Sequence, residues 1–368
     1  MLCDEGPAMK HDLEVPGCIT EAEILQQPSL WPDTLERVRR HRWKNGPVPE
    51  GVRVVICGAG TSAYAAMAIE SAWPLSIAIP TTDLLPDPGY IGDAEVLLSL
   101  ARSGNSPESV GVVDTVLQSL PKIAHVAITC NAEGRLARHP VVDALLLDPR
   151  TNDRSLVMTS SFSNLVLAGL ALRHAREIEP HLDAICDRAR TAYPELHSQA
   201  ARLAEKRPSR IVVLASRPLF GWALEARLKL MEMTAGRIAV MAETYLGLRH
   251  GPMSFVDSET LVLCLLSTDV HRRRYEDDLL AELRAKHLGR LIAIQPDAGE
   301  DGRFYESVGA LAPELPDQLR TPFEIVFPQL LAWHLSVNFG LNPDSPSPNG
   351  VITRVVEGVR IYQRGAAV

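Results

Sequence analysis

The chain has 368 residues, with 46% hydrophobic and 22% charged residues and a formal net charge of −8, the proportions of a globular protein rather than a disordered or membrane-embedded one. The acidic balance argues against nucleic acid as a partner, so any anion site must be built locally. No signal peptide is recognised and no apolar run reaches the roughly 18 residues needed to span a bilayer, so a cytoplasmic protein without a membrane partner is expected.

A prior of about 150 residues per domain predicts two domains. Residues 1–18 have no periodicity and read as an extended arm. Residues 20–42 read as helix, with Thr20 and Glu23 spaced as a capping box. The apolar strand 52–57 runs into Gly58-Ala59-Gly60-Thr61-Ser62 and an alanine-rich helix over 63–71. Gly58 and Gly60 followed by Ala63 approach a dinucleotide fingerprint, but no acidic residue ends a second strand about 20 residues on, and the Lys-Ser/Thr of a P-loop is missing. What remains is a loop of N–H groups with the Thr61 and Ser62 hydroxyls, suited to a small phosphorylated ligand.

Strands at 75–79 and 95–100 follow, and the second enters Ala101-Arg102-Ser103-Gly104-Asn105-Ser106-Pro107. Free N–H groups at a helix start carry partial positive charge, and Ser103 and Ser106 add hydroxyl donors that can close around one phosphate. Gly104 lets the backbone come close, and Pro107 suits the first helical turn. An ordinary strand-to-helix turn capped by Ser106 is the other reading of this segment. Strands at 124–129 and 142–147 complete the unit.

A long helical stretch from 160 to about 207, broken near Pro180 and Pro194, links to a second set of strands at 210–215, 238–242, 260–267 and 290–295, with a weaker one at 323–326. Ile56 and Val213 lie 157 positions apart, and Ile128 and Ile294 lie 166 apart, a nearly fixed offset that marks an internal repeat. Short, continuous apolar strands alternating with helices predict an α/β fold of two doubly wound parallel sheets, with ligands beyond the carboxyl ends of the strands. The expected organisation is an N-terminal arm and helix (1–48), a first unit with the linking helices (49–207), a second unit (208–340) and a tail (341–368). Residues 342–350 are turn formers, and the apolar segment after them is expected to pack back on the body.

In the second unit Ser216-Arg217-Pro218-Leu219-Phe220 replaces the small residues of the first glycine loop, so phosphate is not expected to bind there in the same way. The helix over 222–236 places Leu224, Leu228, Met231 and Ala235 as a core stripe, with Glu225, Lys229 and Glu232 on the neighbouring face. Those three read either as a surface salt bridge or as an acid/base centre at a cleft. His250, between Arg249 and Gly251-Pro252, sits in a rigid loop and titrates near neutral pH, which suits proton movement on a sugar ring oxygen; a capping or surface role is its other reading. Cys57, Cys130 and Cys264 read as buried small hydrophobes. No metal-ligand spacing is present, and His271, His287 and His334 read as structural or exposed.

The two half-repeats, the Arg102-to-Glu108 loop and the set Lys229, Glu232, Arg249-His250-Gly251-Pro252 resemble the sugar isomerase (SIS) domain family, as in the isomerase half of glucosamine-6-phosphate synthase. Within it the resemblance is nearest to AgaS-type galactosamine-6-phosphate deaminase/isomerases. It extends over nearly the whole chain, through Pro80-Thr81-Thr82-Asp83-Leu84, Met158-Thr159-Ser160-Ser161 and Arg354-Val355-Val356-Glu357-Gly358. The resemblance implies a homodimer with a shared site and no cofactor or metal. Glu232 would shuttle a proton between sugar carbons 1 and 2, and His250 would open the ring from the other subunit. Lys229 would lie near the sugar, Gly60, Thr61, Ser62 and the Arg102, Ser103, Gly104, Asn105, Ser106 loop would hold the phosphate, and Thr159 and Ser160 would belong to a third substrate loop. Ala101 stands where the synthases have serine, no lysine occupies their C-terminal Schiff-base position, and the amidotransferase domain is absent. The implied activity is release of ammonia from a hexosamine 6-phosphate with formation of a ketose 6-phosphate. A plain aldose/ketose isomerase and a non-catalytic sugar-phosphate sensor are the alternatives.

Overall fold

A computed structural model of the chain describes residues 18–362 except 45, 47, 297–304 and 357. All but the last of the expected arm, with Cys3, therefore lies outside the described residues. Two helices, α1 (Cys18–Leu25) and α2 (Gln27–Arg40), open the fold. The first unit is β1 (Val54–Cys57), α3 (Thr61–Glu70), β2 (Ser76–Ala78), α4 (Thr81–Leu84), β3 (Val96–Ala101), α5 (Pro107–Ser119), β4 (Ala124–Thr129) and β5 (Val142–Leu146). The 46-residue helix α6 (Ser160–Glu205) follows. The second unit is β6 (Arg210–Ala215), α7 (Phe220–Met233), β7 (Ala239–Glu243), α8 (Tyr245–Leu248), β8 (Leu261–Leu265), α9 (Val270–Ala285), β9 (Arg290–Gln295) and β10 (Glu306–Gly309), closed by α10 (Thr321–Glu324) and α11 (Val326–Asn338). Among the described residues no helix is long and apolar enough to cross a membrane.

Both units are five-stranded sheets, ordered β2-β1-β3-β4-β5 and β10-β9-β8-β6-β7, and every pairing is parallel. Read from β7, the second order repeats the first. Central strands such as Val54–Cys57 and Leu261–Leu265 are buried at every position, because helices cover both faces and no solvent side is left for polar residues. Chain direction across the sheet reverses between β1 and β3, and again between β6 and β8. Such switch points open crevices at the carboxyl ends of the strands.

Several local expectations fail for identifiable reasons. The expected strand at 323–326 is helix α10 running into α11, with Phe323, Ile325, Val326 and Phe327 all buried. An apolar run buried on every side carries no periodicity to separate helix from strand. The fifth strand is instead the polar edge segment Glu306–Gly309, in which only Val308 is buried. Helix α6 is continuous through Pro180 and Pro194, and its one non-helical residue is His174, at φ −116° and ψ 19°. Both prolines are exposed, as are Arg176 and Arg190 four residues before them, so the carbonyls they deprive of a donor lie on the solvent side.

Thr20 and Glu23 form no capping box. Thr20 donates through N and Oγ1 to Asp344 Oδ1, both at 2.8 Å, whereas Glu23 accepts from Arg154 N at 2.5 Å and from Ser155 N at 3.3 Å. Two residues that read as partners in one turn are used to tie α1 to the C-terminal tail and to the segment before α6. The expected core stripe on α7 is also displaced: Met231 is exposed and Leu224 and Leu228 are half-buried, while Trp222, Ala226, Leu230 and Met233 face the core.

Candidate active site

The β1–α3 and β3–α5 loops meet at the first switch point. A Cβ on Gly58 would stand 2.5 Å from the Ser62 carbonyl carbon, so only glycine lets the chain fold back on the start of α3. Thr61 and Ser62 are the first two residues of that helix and are buried. In the second loop Gly104 takes φ +62°, and Ser106 caps α5, accepting from Ser109 N at 3.3 Å with its Oγ 2.6 Å from Ser109 Oγ. The segment after β4 braces this loop: Asn131 Nδ2 donates to Ser103 O at 2.9 Å and Leu136 N to Gly104 O at 2.9 Å. Asn105 belongs to that brace, since its Oδ1 accepts from Arg135 N at 3.0 Å and it does not line the cavity.

The third side comes from the other unit. Helix α7 lies against the alanine-rich α3 so closely that a Cβ on Gly221 would sit 2.7 Å from Ala68 N. That approach carries Lys229 into the β1–α3 loop. Lys229 is fully buried, and its Nζ donates to Thr61 Oγ1 at 3.1 Å and Glu232 Oε2 at 2.5 Å, with Glu225 Oε1 at 3.4 Å. The surface-salt-bridge reading is therefore excluded. A cavity of about 190 Å³ results, lined by Gly60, Thr61, Ser62, Arg102, Ser103, Gly104, Ser106, Lys229 and Glu232, together with Ser109, Leu156, Met158 and tail residues 352–356.

Burial, reinforced by the charge of Glu232, pushes the Glu225 carboxyl up to about 8 against the downward pull of Lys229 and Thr61. Its Oε2 is buried with no hydrogen-bond donor among the described residues, which also disfavours the ionised form. Burial alone would lower Lys229, but Glu225 and Glu232 outweigh it and hold the ammonium above its usual range. The resulting ion pair is Lys229 with Glu232, and Glu225 is the neutral neighbour. Because an unfolded glutamate titrates near 4.5, the folded chain holds this proton more tightly. That contribution to stability is complete below about pH 4.5 and is lost as pH rises through 8. Glu225→Gln is expected to flatten the decline of Tm between pH 5 and 8. Glu23 and Glu276, each pushed up to about 7 chiefly by burial, leave a residual slope, and a decline identical to that of the unaltered protein would exclude Glu225 as a source.

Three expected ligands are differently employed. Arg102 borders the cavity, but its guanidinium donates to the carbonyls of Ser155, Leu156 and Val157 at 3.1–3.2 Å and of Arg354 at 2.5 Å. Thr159 and Ser160 are fully buried and bind Asp153, which accepts from Thr159 N at 2.8 Å and Ser160 Oγ at 2.5 Å, and likewise from Ser161 N at 2.8 Å. Asp153 thereby caps the start of α6, where four N–H groups lack helical partners, and the cavity receives Met158 from this segment instead. His250 is exposed in the loop after α8 and does not line its own chain's cavity.

Sequence reasoning missed the tail as a wall. Arg354 Nε and Nη2 donate to Asp153 O at 2.8 and 2.6 Å, and Leu156 N donates to Asp344 O at 2.9 Å. With Arg102, these contacts hold 352–356 across the opening. The apolar composition after residue 350 signalled packing but not its place, because the partners lie some 200 positions earlier.

Comparison with known proteins places this architecture. Over 376 aligned positions the chain is 35% identical to D-galactosamine-6-phosphate deaminase AgaS of Escherichia coli, covering 94% of this chain and 96% of that one. A Streptomyces coelicolor relative carrying the AgaS name provisionally is 37% identical over 93% of this chain and 95% of its own. The chain belongs to the AgaS-type family of SIS proteins. Among solved structures, tagatose-6-phosphate ketose/aldose isomerase from Escherichia coli superposes with a TM-score of 0.79 at 32% identity, over 94% of this chain and 97% of that one. No protein-family model matches the chain.

Proposed function

We propose that this AgaS-type chain is a galactosamine-6-phosphate deaminase/isomerase, yielding ketose 6-phosphate and ammonia. The observation that carries the reading is the meeting, in one cavity, of a hydroxyl-lined helix-start loop and the buried Lys229 paired with the half-buried Glu232. The N–H groups and hydroxyls of Thr61, Ser62, Ser103 and Ser106 hold the phosphate. Glu232 takes the proton from carbon 2 of the open-chain 2-amino aldose as O1 takes one from water, leaving an enolamine, and returns its proton to carbon 1 as the amino group gives one back to water. The product is a ketose imine at carbon 2, which water hydrolyses to the ketone with loss of ammonia. Lys229 donates to Glu232 Oε2 and holds the carboxylate in place between transfers. Metal and organic cofactor have no place in this scheme.

The same shuttle on a neutral sugar is plain isomerisation, the reading favoured by the name of the Escherichia coli isomerase structure. A sugar-phosphate sensor has no use for a carboxylate paired with a buried ammonium beside the phosphate loop. A second copy of the chain is part of the proposal: the partly exposed Leu224, Leu228 and Met231 face of α7 and the exposed His250 suit a homodimer that shares its sites. The boundaries at 48, 207 and 340 and a cytoplasmic location complete it.

Ammonia release from galactosamine 6-phosphate, set against glucosamine 6-phosphate, tests the reaction, and absence of ammonia with turnover of tagatose 6-phosphate would select the isomerase. For the phosphate, Ser103→Ala and Ser106→Ala are each expected to raise KM roughly tenfold, the equivalent of about 1.5 kcal/mol for a hydrogen bond to a charged group. Equal turnover of the dephosphorylated sugar would refute the cradle.

A further inference from the structure

The second sheet has its own switch point between β6 and β8, so a crevice is expected beyond Ala215 and Leu265, where those strands end. The residues there repeat the first cradle. Ser267 is the second residue after β8 as Ser103 is the second after β3, and Asp269 caps α9 as Ser106 caps α5. Ser216 follows β6 as Gly58 follows β1.

This crevice is filled from within. Asp317, almost wholly buried, accepts from Ser267 Oγ, from Thr268 N at 2.9 Å and Oγ1 at 3.1 Å, from Arg272 Nη1 at 2.5 Å and from Arg320 Nη1 at 3.3 Å. Beside it Glu276 accepts from Ser216 Oγ at 2.5 Å and from Ser267 N at 2.8 Å. Arg320 is fully buried, with its Nη1 also on Leu266 O at 2.8 Å and Glu324 within 3.4 Å. Two hydroxyls, a backbone N–H of the loop before α9 and two guanidinium groups around one anion are the donor set of a phosphate site.

We propose that the β8–α9 loop is a second anion cradle whose occupant is the chain's own Asp317 carboxylate, with Glu276 beside it, so that each chain takes a phosphate-bearing ligand at the first unit alone. The count of one rests on the phosphate reading of the first cradle; the chemistry of the second does not. Vacating it exposes a latent site for a tetrahedral oxyanion. The internal carboxylate is at effectively fixed, high local concentration, which excludes free phosphate from the unaltered chain.

The test uses inorganic phosphate as the probe, against chloride at equal ionic strength. In a Ser103→Ala/Ser106→Ala parent, which silences the first cradle, Asp317→Ser is expected to lower Tm, and phosphate is expected to restore it selectively and to bind about tenfold or more tighter than to the parent. Adding Arg320→Met is expected to abolish the gain. Should Asp317→Ser fail to fold, Asp317→Asn keeps the side-chain shape and removes the charge, with the same selective gain expected. Phosphate binding and stabilisation no greater in the foldable Asp317 variant than in the parent would overturn the proposal. If the parent binds phosphate as well as the unaltered protein does, the first-cradle reading fails, and the gain on replacing Asp317 still decides the second.

Discussion

Glu232→Gln is expected to lower kcat by about 100- to 10,000-fold while leaving substrate affinity within about twofold. The amide keeps the shape of the side chain but cannot take a carbon-bound proton. The fold tolerates the change because Glu225 Oε1, 3.4 Å from Lys229 Nζ, is available as counter-ion. Burial, the larger cause, still raises Glu225, but removing the negative charge of Glu232 takes away the repulsion that adds to it, so Glu225 ionises more readily and the ammonium keeps a partner. Solvent deuterium is expected at carbon 1 of the product made by the unaltered enzyme, since a proton resting on a carboxylate with 22% of its side-chain surface accessible exchanges with water. A variant whose KM rises with kcat intact, together with product free of deuterium, would assign Glu232 to charge balance alone.

The second large effect concerns His250. His250→Asn is expected to impair turnover of the closed-ring substrate much more than that of an open-chain analogue, because its assigned step precedes the carbon-bound proton transfer. If each site takes its histidine from the partner, Glu232→Gln and His250→Asn homodimers are each impaired, and a mixture is expected to recover about a quarter of full activity. Half of randomly assorted dimers are mixed, and each of those holds one intact site of two. The chain's own geometry motivates the experiment: His250 is exposed, with its N–H fixed to Gly247 O at 2.9 Å and Arg249 Nε held by Glu282 Oε2 at 2.6 Å. The loop is thus rigid, yet its imidazole is outside its own chain's cavity. Verified subunit exchange without recovery would place the two residues in one subunit or deny them a joint role.

The duplicated sheets, nine of the ten strands and both loops of the first switch point were legible from local signals. Continuous apolar strands, glycine at close approaches and hydroxyls at helix starts are properties of a few neighbouring residues, and they persist whatever the rest of the chain does. The same logic explains the errors. At 323–326 a run buried on all sides had no period to read, and the polar edge strand 306–309 carried no apolar signal. Thr20, Glu23, Thr159 and Ser160 have residue types that suit a cap or a substrate loop, and what they bind depends on which segment folds onto them. For Thr20 that segment is 324 positions away; for Thr159 and Ser160 it is Asp153, which a helix start claims before any ligand can.

What the sequence by itself determined is the α/β repeat, the glycine- and hydroxyl-rich loops and the presence of Glu225, Lys229, Glu232 and His250. The tertiary structure decided which of them meet. The spacing of Glu225, Lys229 and Glu232 is identical on a solvated helix face and in a buried centre. It became the latter because glycine and alanine at the α3–α7 contact let two helices approach closely enough to close water out. Burial in turn sets the protonation of Glu225 and the pairing of Lys229, since the cost of an ionised group depends on its surroundings and not on its neighbours in sequence. The tail took its place over the cavity for a comparable reason: the carbonyls that Arg354 binds are gathered only once α6 and the first sheet have packed.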